Sequence, residues 1–304
     1  MVFPGQGSQS VGMQAELAGA YPVVLRTYEE ASSILGYDLW ALVQEGPAEK
    51  LGQTIFTQPA MLTAGVAAFR VWLAAGGEEP QQVAGHSLGE YSALVAAQAV
   101  SFADALSVVI QRSQLMQDAV PDGVGGMAAI LGLDDETIIR VCDEASLIGV
   151  AEPVNFNSPG QVVIAGHREA IDRAVEQAKE AGARRAITLP VSVPSHSSLM
   201  IGAGEALSEA LAAAEFVAPK LTVVAATDSR PYTDGDNIRD RLARQVYGPV
   251  QWVKTINTMI DDGASSIIEC GPGKVLAGLC RRINKSIPTT FIDSIDSLRK
   301  SLDA

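Results

Sequence analysis

Histidine, cysteine and basic side chains are scarce in this chain of 304 residues, and long apolar runs are missing. The three cysteines, Cys142, Cys270 and Cys280, are odd in number and fit no zinc or redox spacing. They are expected to be reduced thiols in a cytoplasmic protein. Lysine and arginine number 22 against 35 acidic residues, a net charge of −13. That balance argues against nucleic acid or an anionic membrane as partner. Two basic clusters stand against it, Lys179 with Arg184-Arg185 and Arg281-Arg282 with Lys285. Each reads either as a solvated surface or as a landing point for an acidic partner. No apolar stretch reaches the length of a membrane span, so "LVAAQAV" and "SVVI" are core segments. Met1-Val2-Phe3-Pro4 runs straight into Gly5-Gln6-Gly7, and no signal peptide is expected.

What is present is ample apolar material. Hydrophobic residues make up 47% and charged residues 19%, enough for one large domain or a large one with an insert. Strand and helix alternate through the outer parts of the chain, which predicts a mostly parallel sheet with helices on both faces. Helices are expected over Val11–Ala20, Val23–Leu35 and Gln58–Ala75, with Pro59 at the start of the third. The middle differs. Strands over Met127–Leu131, Val150–Asn155, Gln161–Ala165 and Arg185–Leu189, with helices Asp134–Ala145 and Glu169–Gly182, give the βαββαβ order of a ferredoxin-like unit. The expected division is a large α/β unit from 1–122 and 191–304, interrupted by an inserted unit at 123–190.

Three glycine-rich stretches invite nucleotide readings and fail. Gly5-Gln6-Gly7 has Ser10 where a third glycine should stand. Gly123-Val124-Gly125-Gly126 precedes a strand instead of linking strand to helix. Gly271-Pro272-Gly273-Lys274 has the wrong spacing for a P-loop, and Val275 stands where Ser or Thr is needed.

Gly85-His86-Ser87-Leu88-Gly89 is different. A strand candidate at 81–84 enters it and a helix-forming run, Glu90–Ala97, leaves it. That is the strand–turn–helix context of a nucleophile elbow, with Ser87 at the apex. An ordinary glycine-rich turn is the bland alternative. Serine needs a base, and the chain offers three histidines. His86 adjoins Ser87 and should point away; His167 opens a helix of the inserted unit. By elimination the base is His196, on a loop re-entering the large unit. No acid stands near enough in sequence to complete a triad, so a Ser–His dyad oriented by a backbone carbonyl is favoured. The backbone N–H groups of Leu88 and Gln6 are candidate oxyanion-hole donors. Arg112 lies on the apolar face of the helix ending near Val120. It must find an anion, an internal salt bridge or water, and the residues alone leave that open.

Four motifs in order carry a resemblance over essentially the whole chain. They are Phe3-Pro4-Gly5-Gln6-Gly7-Ser8-Gln9, Gly85-His86-Ser87-Leu88-Gly89-Glu90-Tyr91, Pro153-Val154-Asn155-Phe156-Asn157-Ser158-Pro159-Gly160-Gln161 and Val193-Pro194-Ser195-His196. Together they resemble the malonyl-CoA:acyl carrier protein transacylases of bacterial fatty acid synthesis. The resemblance implies an α/β-hydrolase-like unit with the ferredoxin-like insert, and a site between the two. It implies Ser87 as acylated nucleophile, His196 as base, and Gln6 and Leu88 as the oxyanion hole. Arg112 would grip the malonyl carboxylate, and the Gln245 carbonyl would steady the histidine. Malonyl-CoA and a phosphopantetheinylated acyl carrier protein are the implied substrates, with no metal or other cofactor. A monomer is expected. Such proteins usually carry a few more residues before Val2, so a shortened first strand and a less firmly held Gln6 loop are expected. A serine esterase or thioesterase, a polyketide-type acyltransferase with another extender unit, and a non-catalytic scaffold remain alternatives.

Overall fold

The computed structural model describes residues 1–191 and 193–303. Nine strands are named in chain order: β1 Val2–Phe3, β2 Gln82–Gly85, β3 Gly125–Leu131, β4 Ala151–Ser158, β5 Gln161–His167, β6 Arg185–Thr188, β7 Thr222–Val224, β8 Ile267–Cys270 and β9 Thr289–Ile292. They form two sheets. One is parallel, in the order β7-β2-β1-β8-β9; the other is antiparallel, in the order β4-β5-β3-β6. The second has the ferredoxin-like arrangement that the βαββαβ pattern predicts.

Alternation along each strand sends side chains to opposite faces. In the parallel sheet Val2, Ala84 and Val224 pack with Trp252 and Leu276 on one side. Phe3, Val83 and Val223 join the larger core on the other. Both faces are covered, as parallel sheets require. The antiparallel sheet buries Ile130, Val162 and Ile164 beneath the helices Asp135–Ala145 and Arg168–Glu180. Its opposite face carries Met127, Val154 and Val163 in a smaller cluster. Strand β4 also reaches the other part of the chain. Phe156 N–H donates to Val250 O at 2.9 Å, and Val250 N–H donates to Val154 O at 2.8 Å.

Several elements differ from expectation. The first helix begins at Ala15, not Val11, after Gln14 takes a left-handed φ of 64°. Helix Thr54–Ala74 starts well before Pro59, which sits inside it. Proline there forfeits one backbone hydrogen bond. Burial of an almost wholly apolar helix outweighs that loss; its residues Ala60–Ala68 are all buried. Helix Gly235–Gln245 is capped by Asp234, whose side chain accepts from Asn237 N–H. Short helices Leu39–Glu45 and Ala48–Leu51, strand β9 and helix Ile295–Leu302 were not expected. The last has a capping box between Ser294 and Ser297.

Candidate active site

Ser87 lies just past the carboxyl end of β2, and helix Gly89–Ala96 follows it directly. The turn is tight enough to demand glycine on both sides. A Cβ on Gly85 would lie 2.0 Å from Glu90 N, and one on Gly89 would lie 2.1 Å from Phe3 O. Ser87 itself has φ 53°, and His196 has φ 68°. Left-handed backbone is costly for both residues, and such outliers cluster where a side chain must be aimed.

The aim is visible in the distances. Ser87 Oγ is 2.7 Å from His196 Nε2, and His196 Nδ1 is 2.8 Å from Gln245 O. A carbonyl only accepts, so Nδ1 carries the proton and donates to it. Nε2 is therefore bare and accepts from the serine hydroxyl. His196 N–H also donates to Val246 O at 3.1 Å. The imidazole is buried, and its pKa is pulled from the usual 6.5 to about 3, by burial first and by the Arg112 charge second. The ring is neutral and free to take a proton.

Arg112 is fully buried on helix Phe102–Asp118, which Ser101 caps by accepting from Asp104 N–H. Among the described residues it meets no carboxylate. Its Nη1 donates to Gln58 Oε1 at 2.6 Å and its Nη2 to Gln245 Oε1 at 2.9 Å; Ser87 Oγ is 3.5 Å from Nη2. Its Nε has no hydrogen-bond partner. The internal salt bridge weighed from the sequence is thus not formed. A guanidinium held by two neutral amides, beside a nucleophile, is equipped to receive an anion.

These groups border a cavity of about 380 Å³ between the two sheets, with Gln6, Leu88, Arg112 and His196 on one side and Met127 and Asn157 on the other. The Gln6 loop lies against the elbow. A Cβ on Gly5 would come within 2.4 Å of His86 O and 3.6 Å of Leu88 N. The structure therefore brings Ser87, His196, Arg112, Gln245, Gln6 and Leu88 to one place.

It adds residues that the sequence reading passed over. Gln58 and Glu90 are buried and polar within apolar helices. That anomaly, which singled out Arg112, would have found them. His86 Nε2 lies 2.7 Å from Asn157 Oδ1, and its ring packs edge-on against Trp252. The side chain turns to β4, and burial lowers its pKa. The Gln245 side chain was also missed. Beyond Arg112, its Nε2 donates to Ser87 O at 2.8 Å and to Glu90 Oε2 at 2.6 Å.

Residues 1–297 match the family described as the acyl transferase domain. The malonyl CoA-acyl carrier protein transacylase of Escherichia coli K12 is 54% identical over 302 residues, covering 99% of this chain and 98% of that protein. Among solved structures, the malonyl CoA-acyl carrier protein transacylase of Coxiella burnetii superposes with a TM-score of 0.98 at 48% identity, covering 100% of this chain and 96% of that one. The malonyl-transacylase solved in complex with its type II PKS acyl-carrier protein gives a TM-score of 0.98 at 50% identity, with 100% and 98% covered.

Proposed function

We infer the reaction from one premise: the chain belongs to the acyl transferase family. The reaction is transfer of a malonyl group from malonyl-CoA to the phosphopantetheine thiol of an acyl carrier protein, in fatty acid synthesis. The observation that carries it is the pairing of the Ser87–His196 dyad with a buried guanidinium that touches no carboxylate among the described residues.

Ser87 Oγ attacks the thioester carbonyl while His196 Nε2 takes the hydroxyl proton. The N–H groups of Gln6 and Leu88 receive the oxyanion, and Leu88 stands at a helix N-terminus. The C–S bond breaks and the CoA sulfur leaves with the proton from the imidazolium. Malonyl is then an ester on Ser87, its free carboxylate on Arg112. The carrier thiol gives its proton to His196, attacks the ester carbonyl and leaves with the acyl group; Ser87 regains the proton. One thioester is exchanged for another, so the steps need no redox group or metal.

A catalytic unit of 1–122 and 191–304 with a unit at 123–190 inserted accounts for a cleft lined from both sheets. We place the protein in the cytoplasm, in keeping with three cysteines that form no disulfide; none of its described helices is long and apolar enough to cross a membrane. The exposed Arg184-Arg185 and Arg281-Arg282 clusters are the docking points we assign to an acidic carrier.

Intact-mass measurement after mixing with malonyl-CoA tests the reading. One malonyl adduct per chain, lost in Ser87→Ala and discharged by holo carrier protein, is expected. Continuous CoA release with no adduct would make the protein a hydrolase instead.

A further inference from the structure

Arg112 has a counter-charge, but at one remove. Glu90 is completely buried, and three donors converge on it: Ala226 N–H at 3.1 Å and Tyr232 OH at 2.7 Å on Oε1, and Gln245 Nε2 at 2.6 Å on Oε2. Ala226 N and Gln245 Nε2 can only donate, which suits a carboxylate. The other end of the Gln245 amide accepts from Arg112 Nη2. The order is therefore carboxylate, amide, guanidinium, with every hydrogen bond pointing toward Glu90.

We propose that Glu90 is a positioning residue for substrate choice: by fixing which way the Gln245 amide faces, it holds the Arg112 guanidinium in place and balances its charge without occupying it. This rests on the reading of Arg112 as the grip for the malonyl carboxylate. A carboxylate bonded directly to Arg112 would compete with the substrate; one acting through an amide leaves the guanidinium available. The same amide donates to Ser87 O, so the elbow is held by the same contact.

Glu90→Gln should break the order although it preserves shape. Ala226 N–H forces the new amide oxygen to its side, so the new NH2 faces Gln245. Gln245 must then turn its oxygen toward residue 90 and its NH2 toward Arg112, donor against donor. The malonyl-to-acetyl ratio of kcat/KM for acylation should fall by about 10-fold or more. In an Arg112→Ala background the same change should leave the ratio where it is.

An unchanged ratio in folded Glu90→Gln, or equal losses with both substrates, would overturn the proposal. If Arg112→Ala itself keeps the malonyl preference, the reading of Arg112 fails instead. Should Glu90→Gln not fold, Tyr232→Phe serves. The charged and titratable groups acting on Glu90 are Tyr91, Arg112, Tyr232 and Arg241. Burial holds its pKa above the usual carboxylate range, and the Tyr232 hydrogen bond opposes that. Removing the hydroxyl raises it further, so as pH falls the variant should lose malonyl preference at a higher pH than wild type. The same acid limit in both proteins would refute the relay.

Discussion

The pKa of His196 can be read from the rate at which Ser87 is acylated in mild acid. The perturbation is pH, followed by removal of Arg112. An ordinary imidazole titrating near 6.5 would be only ~3% neutral at about pH 5, a ~30-fold loss of base. His196, held at about 3 by burial and by Arg112, would stay almost wholly neutral there. The assay is stopped-flow acylation by a small neutral acetate ester, whose binding does not need the guanidinium, followed from about pH 8 to pH 5. The kcat/KM should stay flat in wild type. In Arg112→Ala the second cause of the depression is gone, and the acid limb should move to higher pH. Folding needs a parallel check by circular dichroism. A depressed folded pKa means the unfolded chain takes the proton first, so this residue's contribution to stability falls as pH drops below ~6.5. At pH 5 the loss is about 2 kcal/mol. A wild-type limb centred near 6.5 with the protein still folded would refute the account of the dyad.

Three further outcomes can be measured. Arg112→Ala should lower the preference for malonyl-CoA over acetyl-CoA by roughly 10- to 150-fold, the value of a charge-assisted hydrogen bond, in competition assays of acylation; wild-type selectivity would disprove the role. Gly89→Ala should destabilise the fold by about 1–3 kcal/mol in urea titration, since its Cβ would meet Phe3 O, a backbone atom that cannot swing aside; an unchanged midpoint would count against the tight elbow. Reversing the charge of Arg281 and Arg282 should raise KM for the carrier protein and leave malonyl-CoA kinetics alone, and the reverse pattern would remove that surface as the docking point.

Legibility from sequence followed locality. Helix Val23–Leu35 has the expected limits, because its end is written in Gly36, which takes a left-handed φ of 75°. The βαββαβ order was readable for a similar reason: β3 and β5 are largely apolar runs of seven residues, and Gly132, Gly160 and Gly182 mark the turns between its elements. Strand β9 was not readable. Its four residues, TTFI, are half polar and too few to show an alternation, and they are defined by pairing with β8 across a helical crossover. Pro59 misled because it punctuates helices in general, whereas here tertiary burial decides. At the site, Ser87 announces itself through its glycines and His196 through the shortage of histidines. The Gln245 side chain has no such signal. Its three hydrogen-bond partners, Ser87, Glu90 and Arg112, lie 133 to 158 positions away, and only the folded chain shows that one amide touches all of them.

The bonds between β4 and Val250 bear on protein engineering. Residues 245–250 carry the carbonyl that His196 leans on and, a few residues later, the backbone that extends β4. A grafted 123–190 segment from a relative would therefore meet the recipient's own Val250 loop, and any misfit there would be felt at the histidine. Chimeras that exchange residues 245–251 along with that segment should keep their acylation rate, while those that exchange the segment alone should lose it even where both parents are active.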